Sequence, residues 1–518
     1  MPSLIDRILE GREIRQRNPW PRAEVGAHLW RFVVNELAQG RLGLLGLWGE
    51  PSTVHMAIMD GDTAEIAIVS LDCPDRVYPS VGAHHPPALR PERAIHDLFG
   101  LKAEGLPDSR PWLDHGKWGV RFPLADRIDA LPGRSPYRFL PAEGDGLHQI
   151  AVGPVHAGTI EPGHFRFTAS GETVVRLEPR LGYAHKGIEG LMAGADLARA
   201  AQLAGRVSGD STVAYAYAFS KAAEAALQLA VPDRAVWLRA LTAELERLAN
   251  HLGDIGAICN DASFALIHAH TSVLRETVLR AADTAFGHRL MRDIIVPGGV
   301  TRDLDDSGRE AIHAALDNIR LRLPALIELY DNTASLQDRT VDTGLLKPAL
   351  ARQYAAGGYI GRASGRTFDA RRTLSYPPYD DLHFEVPVLN EGDVNARVWI
   401  RVREVEQSLS LIDQILDRLP EGALRARLTP RKEAREGTAL EGLAQEGLAQ
   451  EGLAIVEGFR GDVLVWLRLR DGRVERCHLR DPSWFQWPLL EAAIEGNIVA
   501  DFPLCNKSFN CSYSGVDL

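Results

Sequence analysis

Two segments decide the predicted fold: Glu178-Pro-Arg-Leu-Gly-Tyr-Ala-His185-Lys-Gly-Ile-Glu189 and, one helix further on, Gly205-Arg-Val-Ser208-Gly-Asp-Ser211. Pro179 and Gly182 mark the end of an extended segment. The Ala-rich run from 191 to 203 predicts a helix, and a second helix is predicted over 212–230. The second segment therefore lies where one helix ends and another begins. A helix start offers unpaired N–H groups to an anion or polar ligand, although such a Gly-Asp-Ser is usually only an N-cap.

Composition and charge exclude several classes of protein. The 518 residues allow about two to four domains, and 45% hydrophobic with 25% charged residues is an ordinary globular composition. The net charge of -11 argues against a nucleic-acid partner and against charge-driven binding to anionic lipid. Five scattered cysteines suit a reducing compartment better than a disulfide framework. No signal peptide and no run of roughly 20 apolar residues is present, so membrane contact is expected only through partners.

Residues 1–125 predict a separate α/β docking domain. A helical pattern covers 32–37, and two strands over 53–59 and 64–71 are joined by Asp60-Gly-Asp62. The charged and aromatic segment 92–112 indicates a catalytic cluster, a docking surface, or simply a helix with capping charges and a Pro-rich loop. Docking through Asp97 and Arg110 is the expectation.

A Pro/Gly-rich linker is predicted over 126–147, and a second domain over 148–518. That domain opens with a meander of strands within 148–156, 163–168 and 172–177. From 212 to about 419 it is mostly helical, with apolar stripes at helical spacing. The first stripe is Trp237, Leu241, Leu245, Leu248, Leu252 and Ile255. His251 lies beside this stripe and is interpreted as a structural histidine.

Three near copies of Leu-Glu-Gly-Leu-Ala-Gln indicate a low-complexity insert at about 434–455, interpreted as a solvated helical or flexible linker. A β section follows from 457, with a turn at Asp471-Gly472. The predicted fold class is therefore α+β: an N-terminal α/β docking domain, a linker, and a helical-bundle core flanked by small β-sheets.

Arg206-Val-Ser208-Gly-Asp-Ser211 resembles the first metal-binding region of the large subunits of membrane-bound, formate hydrogenlyase-type (group 4) NiFe hydrogenases, which carry Arg-x-Cys-Gly-x-Cys there. It is also similar to the quinone-site subunit of respiratory complex I. Segment 92–112 resembles the subunit that precedes it, so the chain is similar to a fusion of the 30-kDa-type (C) and 49-kDa-type (D) subunits. Further motifs match in family order, among them 244–252, 297–300, 361–365 and 378–381.

The resemblance implies roles for the loop 153–166. It implies that His156 and His164 line a quinone headgroup pocket and that Glu161 relays protons, as histidine and buried carboxyl chemistry allow. The alternative is that both histidines are bonded to backbone and Glu161 is on the surface. Tyr215 is the candidate for the tyrosine that complex I places near this site, although Tyr215 and Tyr217 lie further along the helix.

The resemblance also places Arg206, Ser208 and Ser211 at a degenerate NiFe site, with Arg460 on a loop that hydrogenases set against the iron ligands. Arg460 could equally brace a polar pocket or lie on the surface of a β turn. The hydrogenases supply a second thiolate pair near the end of the chain, where Cys511 and Ser514 stand. Serine hydroxyls do not ionise near neutral pH, so no NiFe centre is expected. Cys505 and Cys511 are weak metal candidates, and buried structural cysteines are the alternative.

The function that the resemblance implies is that of a peripheral electron-transfer or coupling subunit. The complex would be a membrane-bound, hydrogenase-related oxidoreductase similar to NADH:quinone oxidoreductase, on the cytoplasmic face of the inner membrane. Its expected partners are an iron-sulfur small subunit, which holds the cluster, and antiporter-like membrane subunits, with a quinone as candidate ligand. The alternatives are a non-catalytic structural coupling subunit and an active NiFe hydrogenase.

Overall fold

The N-terminal part is built on a mixed five-stranded sheet in the computed structural model, which describes residues 3–10, 12, 14–126, 129–130, 136–157, 160–426 and 449–518. The sheet order is β1-β2-β5-β4-β3, with only β2 and β5 parallel. The two predicted strands are β4 and β5, and the Asp60 carboxylate closes their turn by accepting the N–H groups of Asp62 and Thr63. The elements are α1 (Leu4–Leu9), β1 (Ile14–Arg17), β2 (Pro21–Glu24), α2 (Ala27–Ala38), β3 (Leu42–Gly49), β4 (Thr53–Asp60) and β5 (Ile66–Asp72).

In segment 92–112, residues 92–99 are mostly buried, whereas exposed positions recur between 102 and 111. The Asp97 carboxylate is buried and accepts N–H groups from Trp112 and Leu113, both at 2.7 Å, and from Asp114 at 3.2 Å. The docking role expected of Asp97 is wrong, because its charge organises a loop of its own chain. Arg110 likewise pairs within the chain, with Asp108 and Glu178. The elements here are β6 (Val77–Pro79), α3 (Leu89–Phe99), β7 (Lys102–Glu104), β8 (Val120–Arg121) and β9 (Asp129–Ala130).

The predicted meander is an antiparallel three-stranded sheet, β10 (Leu147–Val152), β11 (His164–Ser170) and β12 (Thr173–Arg180). Of the predicted linker 126–147, residues 127–128 and 131–135 lie outside the described residues. The helix predicted over 191–203 is two helices, α4 (Ile188–Met192) and α5 (Leu197–Ala204). Gly194, with φ +78°, breaks the run, and the Asp196 side chain caps α5 by accepting the Arg199 N–H at 2.7 Å.

The helical core confirms the predicted stripes. In α7 the stripe residues are buried except for the partly exposed Trp237. The helices and the small hairpin of this region are α6 (Thr212–Leu227), α7 (Asp233–Asp261), α8 (Ala265–Phe286), β13 (Ile295–Val296), β14 (Gly299–Val300), α9 (Asp306–Asn332), α10 (Ala334–Thr340), α11 (Pro348–Gln353), α12 (Gly358–Arg362), α13 (Ala370–Thr373) and α14 (Val394–Arg418).

Charged residues off the α7 stripe are buried as well, in an ion network between helices. Glu244 accepts from Arg371 at 2.9 Å, and Glu404 of α14 accepts from Arg362 at 2.6 Å. His251 donates to Glu404 at 2.7 Å, which makes it a structural histidine as interpreted. Paired charges of this kind fix the relative position of the helices, because breaking one pair leaves a buried ion.

The C-terminal section is a three-stranded antiparallel sheet followed by helices. Its elements are β15 (Gln450–Gly458), β16 (Gly461–Arg470), β17 (Arg473–Arg480), α15 (Ser483–Ile494), α16 (Phe502–Phe509) and α17 (Ser514–Asp517). Residues 434–448 of the predicted insert lie outside the described residues. The insert prediction is wrong for 450–455, which form more than half of a buried strand. Among the described helices, none has the length and apolarity needed to span a membrane.

The N-terminal and C-terminal sheets meet through a buried contact. The rings of Trp48 and His478 stack at 5.3 Å, and the Arg468 guanidinium makes two bonds to Glu50, at 2.6 and 2.7 Å. Arg468 also bonds Glu451 at 2.8 Å. The two sheets are therefore held together by aromatic packing and by a paired, half-buried cation.

Candidate functional site

The start of α6 is capped by the chain itself. The turn 209–211 leads into α6, and the Glu246 carboxylate of α7 accepts the Val213 N–H at 2.7 Å and the Ala214 N–H at 3.1 Å. The sequence suggests that amides at this helix start are free to bind an external anion. For Val213 and Ala214 this is wrong, because Glu246 already accepts their N–H groups. Burial raises the pKa of Glu246 to about 8, although the two N–H groups favour its charged form.

Arg460 lies over the same turn. The β15–β16 hairpin brings its guanidinium to Asp210, with bonds of 2.9 and 2.6 Å, and to the Ser211 hydroxyl oxygen at 3.1 Å. Its Nε also donates to the Asn510 carbonyl at 2.6 Å. Burial would raise the pKa of Asp210, but the Arg460 cation holds it below its ordinary range. Arg460 thus braces a polar centre made of Ser208, Asp210 and Ser211, which is one of the alternatives that the sequence left open.

The segment 510–518 closes this centre from the other side. The Ser512 hydroxyl donates to Ser208 at 3.2 Å, and Ser208 donates to Asp210 at 2.7 Å. The structure therefore brings Ser208, Ser211 and Arg460 together, with Asp210 and Ser512 between them. Asp210 could have been found in the sequence, because it lies inside the quoted segment 205–211.

Segment 510–518 also bonds to the segment 178–189. The Asp517 carboxylate accepts the Gly182 N–H at 2.7 Å and the Ala184 N–H at 2.9 Å. Burial raises the pKa of Asp517 to about 7. The side chain of Asn510 donates to both oxygens of Asp254, each at 3.0 Å. Sequence reasoning missed Asp517 and Asp254, since neither belongs to a motif and their partners are hundreds of residues away.

The loop 153–166 lies beside segment 510–518. Glu161 is exposed, and its carboxylate accepts the Ser514 N–H at 3.0 Å. His156 Nε2 donates to the Gly163 carbonyl at 2.7 Å. His164 Nδ1 lies 3.3 Å from the Gly153 carbonyl, and Arg166 donates to its Nε2 at 3.3 Å, so a neutral Nδ1–H imidazole satisfies both contacts. Burial lowers the pKa of His164, in agreement with that neutral form.

Two apolar side chains of this loop are open to solvent. Val155 is 81% exposed and Ile160 is 36% exposed. Gly163 leaves no room for a side chain, because a Cβ there would lie 2.7 Å from the Tyr513 ring. The loop therefore rests on segment 510–518 through Glu161 and Gly163, and it leaves Val155 and Ile160 exposed.

Two predicted site residues lie elsewhere. Arg206 forms a bidentate pair with Asp293, at 2.5 and 2.7 Å, in which both side chains are more than a third exposed. Tyr215 is fully buried, and its hydroxyl donates to Asp481 at 2.7 Å. These bonds go to Asp293 and Asp481 and not to the Arg460–Asp210 pair, although Tyr215 and Asp481 lie close enough to Arg460 to interact with its charge.

The donor atoms of the centre do not fit a nickel–iron group. Ser208 and Ser211 offer neutral hydroxyls in place of thiolates, and these hydroxyls already bond to Asp210 and Arg460. Burial raises the pKa of Cys505 to about 11 and also raises that of Cys511, so both thiols are held protonated. Within the described ranges, no cluster of three or more His, Cys, Asp or Glu side chains has metal-binding geometry.

Comparisons with known proteins agree with this architecture. Residues 263–518 match the model of the respiratory-chain NADH dehydrogenase 49 Kd subunit, and residues 51–131 match that of the 30 Kd subunit. Formate hydrogenlyase subunit 5 of Escherichia coli (strain K12) is 30% identical over 87% of this chain and 78% of that protein. The fused C/D protein of NADH-quinone oxidoreductase from Phocaeicola vulgatus is 26% identical over 87% of this chain and 90% of that protein.

A solved structure gives the same result for the fold. The membrane-bound sulfane sulfur reductase, an archaeal respiratory membrane complex, contains a chain that superposes with a TM-score of 0.66 at 25% identity, over 72% of this chain and 99% of that chain. The predicted resemblance and fold class are confirmed. The chain belongs to the family of the large subunits of membrane-bound hydrogenases and the 49-kDa subunits of respiratory-chain NADH dehydrogenase, with a 30-kDa-type region on its N-terminal side.

Proposed function

We propose that this protein is the peripheral large subunit of a membrane-bound oxidoreductase complex of the hydrogenase and complex I type, and that it works there without a nickel–iron centre. Its relatives include the alpha subunit of a membrane-bound hydrogenase of Pyrococcus furiosus and proteins of NADH-quinone oxidoreductase. The proposed partners are an iron-sulfur small subunit and antiporter-like membrane subunits, on the cytoplasmic face of the inner membrane.

The observation that carries the metal-free part of the proposal is the presence of serine hydroxyls, bonded within the chain, where the resemblance expects thiolates. The resemblance places nickel and iron between the turn 206–211 and the segment near Cys511. In this chain a guanidinium, a carboxylate and three serine hydroxyls bond to one another there. Neutral hydroxyl oxygens are poor ligands for nickel, and the Asp210 carboxylate is already paired with Arg460.

The proposed acceptor site is the surface at the loop 153–166. The exposed Val155 and Ile160 can pack against the apolar part of a quinone. Arg166, held in place by its bond to His164, would direct its remaining N–H donors toward the carbonyl oxygens of the quinone. The pKa of Asp517 is raised to about 7 by burial and also by the negative charge of Glu161. Its carboxyl group is therefore suited to hold the proton that accompanies reduction. A quinone supplies two-electron redox chemistry when it is bound.

A structural coupling role is the second candidate, and one observation favours it. Ring nitrogens of His156 and His164 already bond to backbone carbonyls of their own loop. A loop whose polar groups are satisfied internally can transmit movement between partners without contacting a ligand.

The decisive experiment uses the native complex, purified through a tag on this chain. Nickel and iron per chain, hydrogen-dependent dye reduction and quinone reduction are measured in the same preparation. We expect no stoichiometric nickel, no hydrogen-dependent activity, and quinone reduction that His164→Ala and Val155→Asp lower at least tenfold. Val175→Asp is the matched control, because Val175 is 46% exposed on β12, away from the loop.

Each outcome separates the candidates. One nickel per chain with hydrogen-dependent activity would refute the metal-free proposal. An intact complex that lacks quinone reduction in the wild type, or that retains it in both loop variants, would refute the acceptor site and support the coupling role.

A further inference from the structure

A cavity of about 670 Å³ lies between α6, β15 and the N-terminal section, away from the Arg460 centre. Its walls are mainly apolar and aromatic, and they include Trp20, Leu229, Leu374, Tyr376, Leu453 and Ile455. Because Trp20 comes from the N-terminal section and Leu453 from the C-terminal sheet, the complete chain is needed to form it. Its volume is within the range of small-molecule sites.

One helix face supplies the polar part of the cavity. Lys221, Glu224 and Ala225 line it from α6, at spacings that place them on the same side of the helix, and Gln228 lines it just after the helix ends. The Glu224 carboxylate is fully used: it accepts from Arg239 at 2.5 and 3.0 Å and from the Gly298 N–H at 2.7 Å. Glu224 therefore offers no bond to a ligand.

Lys221 is different, because no bond to the described residues uses its three N–H donors. In the part of the chain that the structure describes, its ammonium makes no hydrogen bond and no ion pair. It lies 4.0 Å from the centroid of the Tyr376 ring and 5.8 Å from that of Tyr217. A half-buried ammonium without an anion is costly, and aromatic faces offset only part of that cost.

The charged groups around Lys221 are two carboxylates and one guanidinium. The charged groups that act on Lys221 are Glu224, Arg239 and the exposed Asp380; Glu224 and Arg239 neutralise each other as a pair. Burial lowers the pKa of Lys221 to about 8, so the amine is mostly charged at neutral pH and loses its charge above it.

We propose that this cavity is a binding site for an organic carboxylate with an apolar body, whose carboxylate pairs with Lys221 and whose body packs among Trp20, Tyr376 and Leu453. The carboxylate of the ligand would accept hydrogen bonds from the Lys221 ammonium. The body would remove apolar wall area from water, which provides most of the affinity.

The test uses decanoate and 1-naphthoate as probes, with decanol and decylamine as neutral and cationic counterparts, titrated calorimetrically into the full-length chain at pH 7. We expect both carboxylates to bind, with decanol weaker by about tenfold and decylamine not binding. Lys221→Met should lower decanoate affinity at least tenfold and leave decanol unchanged. Ala225→Phe, which places a ring in the cavity, should weaken decanoate and decanol alike.

Two further variants control for fold and charge. Lys347→Met removes an exposed lysine from the start of α11 and should leave all affinities unchanged. Lys221→Arg should keep decanoate binding but abolish the loss of affinity that the wild type shows between pH 7 and 9.5. The proposal is overturned if decanoate binds no more tightly than decanol, or if folded Lys221→Met binds it as the wild type does.

Discussion

At the residue scale, two arginine–aspartate pairs with similar geometry occupy different surroundings. Arg460 is 6% exposed, and its partner Asp210 lies 250 residues away in sequence; Arg206 and Asp293 are both more than a third exposed. Both arginines are site candidates from sequence alone. Sequence cannot separate them, because burial is decided by which distant element covers the side chain.

Loss of each arginine should therefore have a different cost. Arg460→Met leaves Asp210 without its cation and the Asn510 carbonyl without its donor, and should lower the free energy of unfolding by about 2 kcal/mol, since Asp210 keeps partial access to water. Arg206→Met should cost less than about 1 kcal/mol, because water screens the pair. Urea denaturation of the full-length chain measures both. Equal costs would contradict the structural role assigned to Arg460.

At the element scale, periodicity predicts well where burial follows a simple pattern. The strands β4, β5 and β10–β12 and the stripe of α7 are all predictable in this way. The helical pattern does not predict the break between α4 and α5, although both Gly194 and the capping residue Asp196 can be read in the sequence. The strand β15 escapes prediction because its first residues continue a repeat that resembles a linker, and its pairing with β16 depends on residues outside that repeat.

We expect the contact between the N-terminal and C-terminal sheets, at Glu50 and Arg468, to be sensitive to acid. Burial would raise the pKa of Glu50, but His55 and Arg468 hold it at about 2. Because the pKa of Glu50 is lower in the folded than in the unfolded protein, its ionised form stabilises the fold above about pH 4.5. This contribution is lost as the pH falls from about 4.5 to 2. Glu50→Gln should lower stability at pH 7 by about 3 kcal/mol and flatten this acid dependence.

Thermal unfolding between pH 2 and 7 measures the effect of Glu50→Gln. The control is Glu65→Gln, which changes an exposed glutamate in the turn between β4 and β5 and should leave the wild-type profile intact. A Glu50→Gln profile parallel to the wild type would show that this pair does not control the acid response.

At the scale of the whole molecule, segment 510–518 joins regions that are far apart in sequence. It bonds the loop at Glu161, the turn at Ser208, the stretch at Gly182 and Ala184, and Asp254 of α7. Motif order predicts the family and the approximate position of this centre. It cannot predict bonds that span more than 300 residues between side chains and backbone amides, because neither partner shows a local signal.

Asp517 gives this junction a pH dependence that can be measured. Its pKa is raised to about 7 by burial, so its stabilising contribution is complete below about pH 4 and is lost as pH rises to about 7. Hydrogen exchange of a peptide covering 178–190, corrected for the intrinsic pH effect, should therefore show protection that declines over this window.

Asp517→Ala removes the acceptor of two amides, so protection at Gly182 and Ala184 should fall at least tenfold and no longer vary between pH 4 and 7. Asp501→Ala is the control, because that carboxylate makes a partly exposed pair with Arg339 at 3.2 Å and no bond to the stretch. Unchanged protection in Asp517→Ala would mean that the stretch 178–189 keeps its conformation without segment 510–518, and the polar centre would then have to be held by Arg460 and Glu246 alone.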